Sequence, residues 1–173
     1  WAVGPHAQNL ENKEFPQLII FLGLLIMIDI REQLVVEVSR FNSDYIANEI
    51  GNNEERFAEL IKLLLEEKDP IPPKAAWVAE IVFSSHPGLI NPFIKKLVKA
   101  LPRFTHNGSR RCVLKILSQC KIPEKLHGTL IALCFDWLSA NDQPVAVKVH
   151  AMQVIANHLD HYPELAYELH SVI

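Results

Sequence analysis

Ala76-Trp77-Val78-Ala79-Glu80-Ile81-Val82, Arg111-Cys112-Val113-Leu114-Lys115-Ile116-Leu117 and His150-Ala151-Met152-Gln153-Val154-Ile155-Ala156 are three versions of one seven-residue text. Their starts lie 35 and then 39 residues apart. A proline follows each copy, at Pro87, Pro123 and Pro163. A second apolar stretch follows each proline: Leu89 to Leu101, Leu126 to Leu138, and Leu165 to Leu169. Within these stretches the apolar residues recur at three and four, as one face of a helix requires. Each unit therefore reads as a helix, a proline-marked corner and a second helix. One such pair cannot bury its apolar face alone, so neighbouring pairs must stack and share a core.

Upstream of the first copy the same periodicity continues. Ile30, Leu34, Val38 and Phe41 predict one helix. Asn53-Glu54-Glu55 opens another, with Phe57, Leu60, Ile61, Leu64 and Leu65 on its apolar face. Asn53 can cap that helix, and the two acids suit its positive end. Asp69-Pro70-Ile71-Pro72-Pro73 breaks the chain before the repeats begin. Asn107-Gly108-Ser109 and Asn141-Asp142-Gln143-Pro144 read as turns between units. No stretch sustains a two-residue alternation, so no sheet is expected.

Composition narrows the class. The chain has 173 residues, 49% of them hydrophobic and 21% charged, which excludes a disordered chain and allows a sizeable core. Three cysteines are too few, and odd in number, for a disulfide scaffold. A net charge of -3 argues against a globally basic nucleic-acid binder. The apolar run Leu18–Ile28 is stopped by Asp29, Arg31 and Glu32, and is shorter than the roughly 20 residues that a span requires. No membrane span and no export signal are read, and a cytoplasmic location is expected. From Met27 the text becomes an ordinary acid-rich helix start. Residues 1–26 are accordingly read as an extension, either non-native or one apolar helix. Residues 27–173 are read as a single repeat domain, cut inside its last helix.

Ala75-Ala76-Trp77-Val78-Ala79-Glu80-Ile81-Val82, Cys134-Phe135-Asp136-Trp137-Leu138 and Val145-Ala146-Val147-Lys148-Val149-His150-Ala151-Met152 carry a more specific resemblance. From Met27 onward the sequence resembles α-solenoids of the HEAT or armadillo class. More narrowly, it is similar to small bacterial helical-repeat proteins often labelled adenylosuccinate lyase. The resemblance implies an all-α fold, a right-handed α-α superhelix of HEAT-like helical hairpins. The lyase label would imply a Ser-rich, Gly-containing mobile loop with Met-Pro and Lys. This chain has no Met-Pro, and its only paired serines, Ser84-Ser85, run into His86-Pro87-Gly88.

Residues able to carry chemistry are scattered. His158 and His161 lie three apart with Asp160 between, but a closed zinc site needs three or four ligands, and neither His-Glu-x-x-His nor Cys-x-x-Cys occurs. Cys112, Cys120 and Cys134 fall in or beside apolar helical runs, where a thiol acts as a small hydrophobe. The six glycines are too dispersed for a phosphate loop. Trp77 and Trp137 are assigned to packing. No catalytic residue, metal or cofactor is expected.

Charge is the more informative signal. Residues 1–86 hold 14 acids and 7 bases, whereas residues 87–173 hold 6 acids and 10 bases. Between 95 and 125 there are nine bases and one acid. Lys95, Lys99 and Arg103 are spaced as a stripe along one helix, and Arg110, Arg111 and Lys115 fall on the next. If stacked helices join them, they form a contact surface. The expected function is a non-enzymatic scaffold for a protein or peptide partner. A nucleic-acid or phosphate-binding module using the same bases is the alternative, and an enzyme bearing the lyase label is a third reading.

Overall fold

The structure, a computed structural model, describes residues 27–66 and 70–172. The Leu18–Ile26 part of the apolar run and the proposed extension lie outside them. Among the described residues there are nine α-helices, three short 3-10 turns and no strand. The helices are α1 (Ile30–Val36), α2 (Arg40–Ile50), α3 (Glu54–Leu64), α4 (Ile71–Ser85), α5 (Ile94–Ala100), α6 (Asn107–Leu117), α7 (His127–Ser139), α8 (Val145–Ala156) and α9 (Leu165–Val172).

The helices stack in two layers. α2, α4, α6 and α8 pack side by side in that order. Behind them α3 packs on α4, α7 on α8, and α9 on both α7 and α8. α5 reaches the α3 side through the 3-10 turn Pro87–Phe93, where the Phe57 and Phe93 rings meet edge to face, with centroids 6.0 Å apart. One cluster of buried residues runs from Ile30 to Ile155. Phe57, Leu60, Leu64, Leu97, Leu101 and Leu114 are among its fully buried members. Each such side chain contributes about 1.5–3 kcal/mol relative to exposure.

The repeat spacing reappears as contact geometry. Arg31 meets Glu66, Lys115 meets Glu80 and Tyr162 meets His127, each pair 35 residues apart. Asn157 Nδ2 donates to the Ser118 carbonyl across 39 residues. Glu80 and Lys115 hold the same place in their repeats. Stacking brings such positions side by side.

Four expectations are corrected. Ile30 to Phe41 is not one helix: α1 ends at Val36 and α2 starts at Arg40. Ser39 caps α2 by accepting from the Asn42 N–H at 3.0 Å. Buried Asn42 then donates to the Gln33 and Glu37 carbonyls, fastening α1 onto α2. Val38 and Phe41 are exposed as a result. Of the three prolines before the first repeat, only Pro70 precedes its helix, as the N-cap. Pro72 and Pro73 lie in the first turn of α4, where a missing N–H costs nothing. The stretch from Leu89 to Leu101 is not continuous α-helix, because the Pro87–Phe93 segment, with Pro92 inside it, is a 3-10 turn. Asn107-Gly108-Ser109 is the first turn of α6 and not a loop.

Gly51 ends α2 with φ 50° and ψ -129°, and its N–H reaches the Ala47 carbonyl at 2.9 Å. A side chain is strained at that backbone geometry. Gly51→Ala is expected to lower the unfolding free energy by about 1–2 kcal/mol, measured by urea titration. An unchanged midpoint would mean that α2 can end in another conformation.

Candidate partner-binding face

α4, α6 and α8 each bury one side and leave another open. On α4 the open side carries Trp77, Glu80 and Ile81, all partly buried. On α6 it carries Arg111 and Lys115, and on α8 Val149 and His150. Trp77 thus packs against the core while remaining partly accessible, whereas Trp137 is buried as expected.

Glu80 is the centre of this face. Its side chain is only 12% exposed, against 37% for Arg111 and 40% for Lys115. Lys115 Nζ donates to Glu80 Oε1 at 2.5 Å. Arg111 Nη1 stands 3.5 Å from Glu80 Oε2, too far for a good hydrogen bond. Oε2 is buried and has no hydrogen-bond partner. The other Arg111 nitrogen, Nη2, turns to Cys112 Sγ at 3.1 Å. Burial pushes the Glu80 carboxyl up. The neighbouring Cys112 thiol and Lys115 ammonium, with the charges of Arg111 and Lys115, outweigh burial and hold it below the ordinary value. Burial and then Glu80 push the Cys112 thiol up to about 12. Cys134 is likewise raised to about 12 by burial. Neither thiol is poised as a nucleophile. On α8, burial and then the positive charges of Lys115 and Arg111 hold His150 below its ordinary value.

The basic residues singled out from the sequence are distributed unevenly. Arg111 and Lys115 are brought together on Glu80. Arg110 is not part of that pair: it donates through Nε to the Phe104 carbonyl at 2.8 Å and stacks 5.4 Å from the Trp137 ring centre. It also approaches Gln143 Oε1 at 3.3 Å, tying α6 to the turn before α8. Lys95 and Lys99 are exposed on α5, behind the first layer. Arg103 does not continue their stripe, because α5 ends at Ala100 and Arg103 lies in the 3-10 turn Leu101–Arg103, exposed beside a cavity of about 340 Å³ that Glu66, Pro72, Phe104 and Ser109 also line.

Glu80 was missed from the sequence as the counter-ion of these bases. Its signal was the register itself, because Glu80 and Lys115 are the fifth residues of their repeats and carry opposite charge. The histidines also find local roles. His158 is buried and its Nδ1 lies 2.7 Å from the Val154 carbonyl, while His127 lies against Tyr162 and the Ile122 carbonyl. No group of three or more metal-binding side chains occurs among the described residues. Among them, no helix is long and apolar enough to cross a membrane.

Two stacked layers of helices, joined at the repeat spacing, define an α-solenoid. The HEAT repeat domain family matches residues 30–173, and the chain belongs to that family. Comparison with curated proteins and with solved structures returns no match.

Proposed function

We propose that the protein is a non-enzymatic helical-repeat scaffold whose α4–α6–α8 face receives a protein or peptide partner. HEAT repeats commonly serve protein interaction, which supports the class of function. The observation that carries the reading is the combination on that face. An ion cluster that is only partly hydrogen-bonded sits among partly exposed Trp77, Ile81 and Val149. Mixed apolar and charged surfaces of this kind suit protein partners. The bases on α5 support the second reading, a phosphate or nucleic-acid surface. That surface would need the two sets of bases to act together, and they lie in different layers.

The test is photo-crosslinking from single positions in cells that express the protein. A crosslinker at Val149 is expected to capture a defined protein, and one at Lys96 is not. Capture of nucleic acid, or equal capture from both positions, would overturn the reading. So would turnover of adenylosuccinate by the purified chain.

A further inference from the structure

We infer that the partner segment docked on the α4–α6–α8 face is acidic, and that one of its side-chain carboxylates pairs with Arg111. The inference rests on the scaffold reading and adds the chemistry of recognition. Its first support is the charge inventory of the face. α6 and α8 contain no Asp or Glu, whereas they hold Arg110, Arg111, Lys115 and Lys148. Arg110 is used on the Phe104 carbonyl and Trp137, and Lys148 donates to the Leu138 carbonyl at 2.8 Å. On α2, Arg40 is paired with Asp44 at 2.8 Å. Glu80 is the acid facing Arg111 and Lys115, so two cations share one carboxylate.

The geometry says which cation is left over. Lys115 takes the hydrogen bond to Glu80, while Arg111 has a sulfur contact and a carboxylate oxygen at 3.5 Å. A planar guanidinium satisfies carboxylates in pairs of parallel hydrogen bonds. At 37% exposed, Arg111 can offer its remaining donors outward. An incoming carboxylate supplies the missing charge and acceptor without breaking the Lys115–Glu80 pair. Trp77 and Ile81 lie three residues before and one after Glu80 on α4, and Val149 lies on α8, so apolar groups beside the acid can be covered too. A phosphate backbone fits less well. It presents a row of negative charges, and the Glu80 carboxylate stands beside Arg111 and Lys115 on this face.

The probe is a fluorescein-labelled twelve-residue peptide of alternating Glu and Leu. It is compared with the same peptide carrying Gln for Glu and with a labelled twelve-nucleotide single-stranded DNA. Binding is followed by anisotropy with the whole chain. The Glu peptide is expected to bind about tenfold tighter than the Gln peptide, the scale of one charge-assisted contact. That margin should shrink in high salt. Arg111→Gln should remove it, and Lys95→Gln with Lys99→Gln should not. Circular dichroism checks that Arg111→Gln remains folded, as expected with the Lys115–Glu80 pair intact. Equal binding of both peptides, or a margin that survives Arg111→Gln, would overturn the acidic-partner inference and leave the scaffold reading standing. DNA bound more tightly than either peptide would overturn both.

Discussion

Leu114→Ala is expected to lower the unfolding free energy by about 3 kcal/mol. Leu114 is fully buried near the middle of α6. α6 packs on α4 to one side and on α8 to the other. Removal of the side chain loses its transfer free energy, and the cavity left behind adds to the loss because close-packed neighbours relax only in part. The position matters as much as the volume. In a stack of repeats each unit is stabilised by its neighbours, so damage at an internal interface weakens the coupling of both sides. Amide exchange should therefore speed up more in α8 than in α2, since α2 keeps its packing on α4. Urea titration gives the total loss and the slope. A fall of under about 1 kcal/mol would mean that the core can close around the missing methyl groups. A reduced slope would show the two ends unfolding separately.

The same dependence on neighbours explains which parts of the fold could be read in the sequence. The repeat was legible because its period is carried by buried positions such as Val78, Val113 and Leu114, which any stacked pair must keep apolar. The corners were legible as to place but not as to form. Proline marks a break in either direction: Pro72 and Pro73 start a helix, while Pro92 sits inside the 3-10 turn that delays α-helix until Ile94. Phe41 illustrates a different failure. Its spacing from Ile30 and Leu34 suits one long helix, but Ser39 can cap a new helix and Asn42 can close the joint. Local hydrogen bonding therefore overrode an apolar spacing. The basic segment shows a third limit. Lys95, Lys99, Arg111 and Lys115 are near in sequence, yet successive helices of a solenoid belong to different layers. Contacts follow the repeat period instead, so Lys115 meets Glu80 and not the bases of α5.

Glu80→Gln should cost about 2 kcal/mol near neutral pH, less than a fully buried ion pair because Arg111 and Lys115 are each more than a third exposed. The substitution keeps the shape of the side chain and removes the charge that both cations face. Its pH dependence separates this electrostatic cause from a packing fault. The folded-state carboxyl of Glu80 lies below its ordinary value. Its contribution is therefore complete above the unfolded-state pKa and disappears as pH falls through the folded-state value. The wild-type and Glu80→Gln stabilities should differ most at neutral pH and converge in acid, where the wild-type carboxyl is also neutral. A constant gap across the acid range would assign the loss to packing alone. His150 provides an independent reading of the same field. Burial and then the charges of Lys115 and Arg111 already hold it below its ordinary value, while Glu80 raises it. Removing the carboxylate leaves the two cations unopposed, so the His150 titration followed by NMR should shift further down in Glu80→Gln. It should shift up in Arg111→Gln, which removes one of the cations. An acidic peptide seated on Arg111 should move it in the same upward direction, so binding would take up protons as pH falls toward the imidazole range. Opposite shifts in the two variants would identify Glu80 and Arg111 as the charges that set the potential of this face.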